Sequence, residues 1–201
     1  MTKYILKMAD LHVDKLFQFV KGIEIKAPYS RLFCDVERNK DDENEPMSKF
    51  GYGYIYRKTY DRKSICRYGK INEISVTDYI NKYYDEHHER LNSAIENELD
   101  KGKDVFILDC HSFSDEFADS IDCVGPYPDI CIGINDDFDN QPLLNLIIKR
   151  IEEEGLNYRI NFPCKGSIIP TKYDELKKKG KIYSIKISVN KKLYLWALYL
   201  Y

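Results

Sequence analysis

The sequence predicts a single α/β domain with a mixed, mostly parallel sheet and helices on both faces. Two observations carry this. Short apolar runs at Asp104–Leu108, Asp129–Ile134 and Ile182–Val189 alternate with helix-periodic segments, the pattern of strands joined by helical connections. The 201 residues are 43% hydrophobic and 32% charged, with no repeat, linker or low-complexity tract, so one domain spanning 1–201 is expected.

In chain order, Asp10–Val20 reads as a helix with Leu11, Leu16, Phe17 and Val20 on its apolar side. Ile23–Ile25 and Leu32–Val36 read as short strands, and Asn39–Ser48 as an exposed acidic loop. Lys49–Lys58 alternates aromatics with Gly51 and Gly53, as a flap or hairpin arm would. Ser75–Lys101 is the strongest helix. Ile80, Tyr84, His88, Leu91, Ile95 and Leu99 recur at helical spacing, Ser75 and Asp78 resemble a capping box, and Gly102 supplies a stop. Asp104–Leu108 has the continuous apolar character of a buried strand. Gln141–Glu154 reads as a helix, Tyr158–Asn161 as a strand and Lys172–Lys179 as a short basic helix. Ile182–Val189 alternates, with Tyr183, Ile185, Ile187 and Val189 on one side and Ser184, Lys186, Ser188 and Asn190 on the other.

Composition excludes several classes. Thirty-one basic residues against thirty-three acidic ones leave a net charge of -2, so no global basic footprint for nucleic acid exists. No apolar stretch approaches the ~20 residues that span a bilayer, and Leu193–Tyr201 reads as a packed tail. Six cysteines without a C-x-x-C pair, behind an N-terminus that lacks the apolar run of a signal peptide, suit reduced thiols in the cytoplasm.

Ligands of open α/β sheets bind outside the carboxyl ends of the strands, so chemistry is sought there. Asp109-Cys110-His111-Ser112 ends a strand, and His111 can serve as metal ligand, base or simple loop hydrogen-bonder. His88 falls on the apolar stripe of the long helix and reads as a core histidine, with His87 half exposed beside it. Arg31 and Arg38 bracket a segment carrying Asp35 and Glu37. Their planar guanidinium forks suit either a ligand carboxylate or the acidic loop that follows.

At these strand ends the chain resembles the N-formylglutamate amidohydrolase family. The matching stretches are Ala27-Pro-Tyr-Ser-Arg-Leu-Phe-Cys-Asp-Val-Glu-Arg38, Glu45-Pro-Met-Ser-Lys-Phe-Gly51, Tyr83-Tyr-Asp-Glu-His-His88, Leu108-Asp-Cys-His-Ser-Phe113, Pro128-Asp-Ile-Cys-Ile-Gly133, Asn161-Phe-Pro-Cys-Lys-Gly-Ser167 and Val189-Asn-Lys-Lys-Leu-Tyr194. They run in family order. The family is similar to zinc carboxypeptidases and aspartoacylases. The resemblance implies a phosphorylase/hydrolase-like α/β fold and a cytoplasmic zinc hydrolase of N-acyl amino acids, acting on non-peptide C–N bonds in linear amides. Its partner would be a small acidic N-acyl amino acid.

Carried over, His111 is the expected metal ligand, and Arg31 and Arg38 are the expected substrate-binding residues. Asp35 and Asp109 are expected to orient their neighbours rather than ligate. One further carboxylate, from Asp10, Asp14 or Asp35, is available to the metal. Two departures are visible. The chain is expected to lack the family's N-terminal strand and Pro-His-x-Gly segment, which supplies a metal histidine. The family's general-base glutamate is Ser188 here, and a serine hydroxyl cannot replace a carboxylate as base near neutrality. A second reading follows from these departures: a catalytically degenerate relative that keeps the anion-binding arginines and binds a small acidic ligand or a partner.

Overall fold

The computed structural model describes residues 2–65, 73–138 and 140–195. These fall into two compact units, Met1–Ala9 with Gly22–Ala94, and Asp10–Lys21 with Ile95–Tyr201.

The first unit is built on α1 (Thr2–Met8) and the N-terminal part of the long helix α3 (Glu73–Leu99), joined by turns. Ile80, Tyr83 and Tyr84 of α3 bury against Cys34 and Val36, with Tyr54 and Ile55 packed alongside. His88 is buried as its stripe position predicts, and its Nε2 meets the Val36 carbonyl at 2.7 Å. His87 is also buried, not half exposed. Neither Ile23–Ile25 nor Leu32–Val36 forms a strand. The second segment satisfies its backbone locally instead. Phe33 N–H bonds Ser30 O at 2.8 Å, Glu37 N–H bonds the Asp35 carboxylate at 3.2 Å, and Asp35 N–H reaches Tyr54 O at 2.8 Å. Ser and Asp side chains of this kind compete with ladder pairing. The 49–58 arm holds a short 3-10 turn at Ser48–Phe50 and an isolated Tyr52–Tyr56 bridge rather than a regular hairpin. The helix α3 begins at Glu73, upstream of the expected Ser75 cap. It ends at Leu99, two residues short of the expected Lys101, and the turn that follows runs through Gly102, whose φ of 72° only glycine adopts at no steric cost.

The second unit holds one four-stranded sheet. Its strands are β1 (Val105–Phe113), β2 (Ile130–Gly133), β3 (Tyr158–Ile160) and β4 (Ile182–Asn190), in the order β1-β4-β2-β3. The β1–β4 and β2–β3 pairs are parallel and β4–β2 is antiparallel, so the sheet is mixed and mostly parallel. The three apolar runs are therefore neighbours in one sheet, as their character predicts. The helix expected over Asp10–Val20 shrinks to α2 (Val13–Leu16), preceded by His12 at φ 59° and leaving Phe19 and Val20 exposed. Two short helices, α4 (Asp115–Ser120) and α6 (Tyr173–Leu176), flank the longer α5 (Gln141–Glu153).

The β4 alternation sorts the sheet into two faces. Ile185, with Ile187 and Val189 beside it, joins Ile130 and Ile132 of β2 in a cluster closed by Leu144, Ile147, Ile148 and Ile151 of α5. Leu193 packs there too, while residues 196–201 of the expected apolar tail lie outside the described residues. The opposite face is polar and carries Ser184, Lys186, Ser188 and Asn190, all buried. Among the described residues no helix is long and apolar enough to cross a membrane.

Candidate functional site

The register of the sheet builds the polar face. His111 of β1 stands directly opposite Ser188 of β4, and Ser188 opposite Cys131 of β2. One row below, Asp109 pairs with Lys186, and Lys186 with Gly133. Side chains directly opposite on paired strands share a face, so these residues project together. The sequence reading ended a strand before His111. Instead β1 runs on through Phe113 and carries His111 inside its carboxyl-terminal part.

His111 sits between two carboxylates. Its Nδ1 lies 3.1 Å from Asp10 Oδ2, and its Nε2 lies 2.8 Å from Asp109 Oδ1. A neutral imidazole offers one donor and one acceptor, so carboxylates at both nitrogens call for a second positive partner, a proton or a cation. Each carboxylate is itself fixed. Asp10 Oδ1 accepts from Ser112 N–H at 2.8 Å and from the Ser112 hydroxyl at 2.7 Å. Asp109 Oδ2 accepts from Ile168 N–H at 3.1 Å and lies 3.4 Å from Lys186 Nζ. The buried Lys186 ammonium supplies positive charge at Asp109. Histidine ligands normally give their other ring nitrogen to a carboxylate that fixes the tautomer, and here each ring nitrogen of His111 meets one carboxylate. His111, Asp10 and Asp109 thus offer nitrogen and carboxylate donors of the kind a divalent metal takes.

Ser188 is 1% exposed, and its Oγ is a buried hydroxyl without a hydrogen-bond partner. The position expected to carry a general base is thus a packed, inert one.

In the first unit the structure brings Arg31, Arg38 and Asp35 together. Asp35 Oδ2 lies 3.8 Å from Arg31 Nη1 and 3.5 Å from Arg38 Nε, and accepts from Tyr56 OH at 2.8 Å. Glu45 adds a second carboxylate 3.9 Å from Arg38 Nη1, while receiving the backbone N–H groups of Asn39 and Met47. Burial opposes the Arg38 charge, but Asp35, Tyr56, Glu37 and Glu45 outweigh it and hold the guanidinium pKa above its ordinary value. Burial and Asp35 likewise push the Tyr56 phenol up, so it stays a donor. Asp35 forms ion pairs with both arginines. Tyr56 and Glu45 were not legible as partners, since only folding sets them beside residues 31–38.

A mixed, mostly parallel sheet with helices defines an α/β protein, a class whose ligands bind at the carboxyl ends of the strands, where His111 meets its carboxylates. The family can be named from the chain itself: the N-formylglutamate amidohydrolase family model matches residues 2–195, and the chain belongs to that family. Two solved structures share the fold. An N-formylglutamate amidohydrolase from Ralstonia eutropha JMP134 is 20% identical with a TM-score of 0.71, over 96% of this chain and 75% of that one. A gene product from Agrobacterium tumefaciens is 20% identical with a TM-score of 0.54, over 82% of this chain and 58% of that one. A search of the curated proteins finds no match.

Proposed function

We propose that the chain is an N-formylglutamate amidohydrolase-like protein that takes N-acyl derivatives of acidic amino acids at a metal-dependent site. The observation that carries this reading is the clamping of His111 between Asp10 and Asp109. A divalent cation such as zinc, when bound, supplies Lewis-acid polarisation of an amide carbonyl and an activated water. The chain's own residues do the rest. Asp109, backed by Lys186 and Ile168 N–H, holds the His111 ring in one tautomer. Arg31 and Arg38, held in position by Asp35, are the groups for a substrate carboxylate.

The sealed Ser188 favours a second reading beside it, a relative that binds such ligands with little turnover. General-base assistance is typically worth about 10²–10⁴-fold, and no carboxylate stands at position 188 to give it. Formate release from N-formyl-L-glutamate, with and without added zinc, separates the two. Metal-stimulated release that His111→Ala abolishes establishes the hydrolase. Calorimetric binding without release, weakened by Arg38→Ala, establishes the binder. Absence of both turnover and binding sinks the shared substrate assignment.

A further inference from the structure

Beside the His111 row, two cysteines from distant parts of the chain meet. Cys131 is fully buried in β2. Cys164 is half-buried in the segment that follows β3. Both are free thiols. The Cys131 thiol donates to the Cys164 carbonyl at 3.1 Å.

The contact is enforced by the backbone around it. Asn161, at φ 55°, turns the chain after β3, and its Oδ1 accepts from Ile134 N–H at 2.9 Å and Gly166 N–H at 3.1 Å. Gly166 lies so close over Gly133 that a Cβ on Gly133 would collide with its carbonyl. Asn135 Nδ2 donates to Ser167 O at 2.8 Å, and Ser167 Oγ donates to Ser184 O at 3.0 Å. Residues 161–168 are thereby tied to β2 and β4 on either side of Cys164, which holds Cys164 against the Cys131 thiol.

We propose that Cys131 and Cys164 are an oxidation site, a dithiol that closes to a reversible disulfide on reaction with a small hydroperoxide. The Cys131 sulfur attacks one peroxide oxygen. An S–O bond forms, the O–O bond breaks, and the leaving hydroxide takes the thiol proton and departs as water. The Cys164 sulfur then attacks the sulfenic sulfur, an S–S bond forms, the S–O bond breaks, and a second hydroxide leaves with the Cys164 proton as water. The sulfur pair loses two electrons and the peroxide gains them.

The surroundings favour this order. The Cys164 side chain pulls the Cys131 pKa below that of an ordinary thiol against the effect of burial, and the backbone at Cys164 and Phe162 with the Lys186 charge assists. Complete burial of Cys131 limits the oxidant to a small one. The two sulfurs must close to about 2 Å in a disulfide. The movement falls on the segment whose Ile168 N–H holds Asp109.

The test uses the intact reduced protein with hydrogen peroxide, followed by alkylation and digestion with trypsin and Asp-N without reduction. The expected product joins the peptide bearing Cys131 to the one bearing Cys164, is two hydrogens lighter than the pair, and reverts with dithiothreitol. Peroxide treatment in urea should scatter the cross-links. The proposal is overturned if both cysteines remain alkylated while others oxidise, if Cys164 pairs with Cys123 instead, or if the unfolded chain gives the same pairing. The readout is a mass, so it stands or fails apart from any hydrolytic activity.

Discussion

At the scale of residues, Ser188 stands where the family resemblance leads one to expect a glutamate. A serine of that size leaves no opening: its hydroxyl is sealed in the sheet beside His111 and Cys131, with no partner. A buried hydroxyl without a hydrogen bond costs about 1–3 kcal/mol. Ser188→Ala is therefore expected to hold or raise stability. Ser188→Glu forces a longer, charged side chain into packed space and is expected to lose about 1–3 kcal/mol or more. It should also restore little hydrolysis, because a carboxylate in a displaced strand is not a positioned base. Urea unfolding of both variants, with formate release, checks this. A stable Glu variant with strongly raised turnover would show that the position accepts a base after all. Residue chemistry was only partly legible in the sequence. The β4 alternation put Lys186 and Ser188 on the polar side correctly, but nothing in the spacing paired Lys186 with Asp109. Asp10 was one of three eligible carboxylates. The contact that distinguishes it spans the chain from position 10 to position 111, and only the fold makes it.

At the scale of elements, legibility followed how strongly burial selects one period. β2 and β4 bury an apolar face against α5, so their residues had to alternate or run apolar, and both strands lie where the pattern put them. Residues 32–36 show the opposite case. Cys34 and Val36 are buried two apart, as in a strand, yet turns and the Asp35 side chain take up the backbone groups. β1 was cut short because Asp109 and His111 look like loop residues, whereas they are the polar-face positions of a continuing strand. The apolar face carries a direct prediction. Ile185 is fully buried among Ile130, Ile132 and Leu144. Ile185→Ala should destabilise by about 2–5 kcal/mol, from lost transfer energy and the cavity left behind. A loss below 1 kcal/mol in urea unfolding, well under that range, would mean that α5 does not pack on this face as described.

At the scale of the whole molecule, stability links to pH through His88. Its Nε2 donates to the Val36 carbonyl, so Nδ1 carries no proton, and that atom is buried without a partner. Burial lowers its pKa below the ordinary 6.5, with Lys40 acting in the same direction, and the Val36 carbonyl, Asp85 and Glu37 only partly opposing. The sign follows from proton counting. Between the two pKa values the unfolded chain holds the His88 proton and the folded chain does not, so stability rises with pH there. The His88 contribution is fully present above the unfolded pKa. It declines as pH falls through that value and levels off once the folded pKa is passed. Replacing the ring by a group that can still donate to Val36 but cannot titrate, as in His88→Gln, should remove that slope. Wild type and variant unfolded in urea at a series of pH values from 8 to 5 isolate the His88 part, since other titrating groups cancel in the difference. The wild type should lose stability relative to the variant as pH falls below about 6.5. A difference that stays flat across the series would place the ring in contact with water and take His88 out of the buried core.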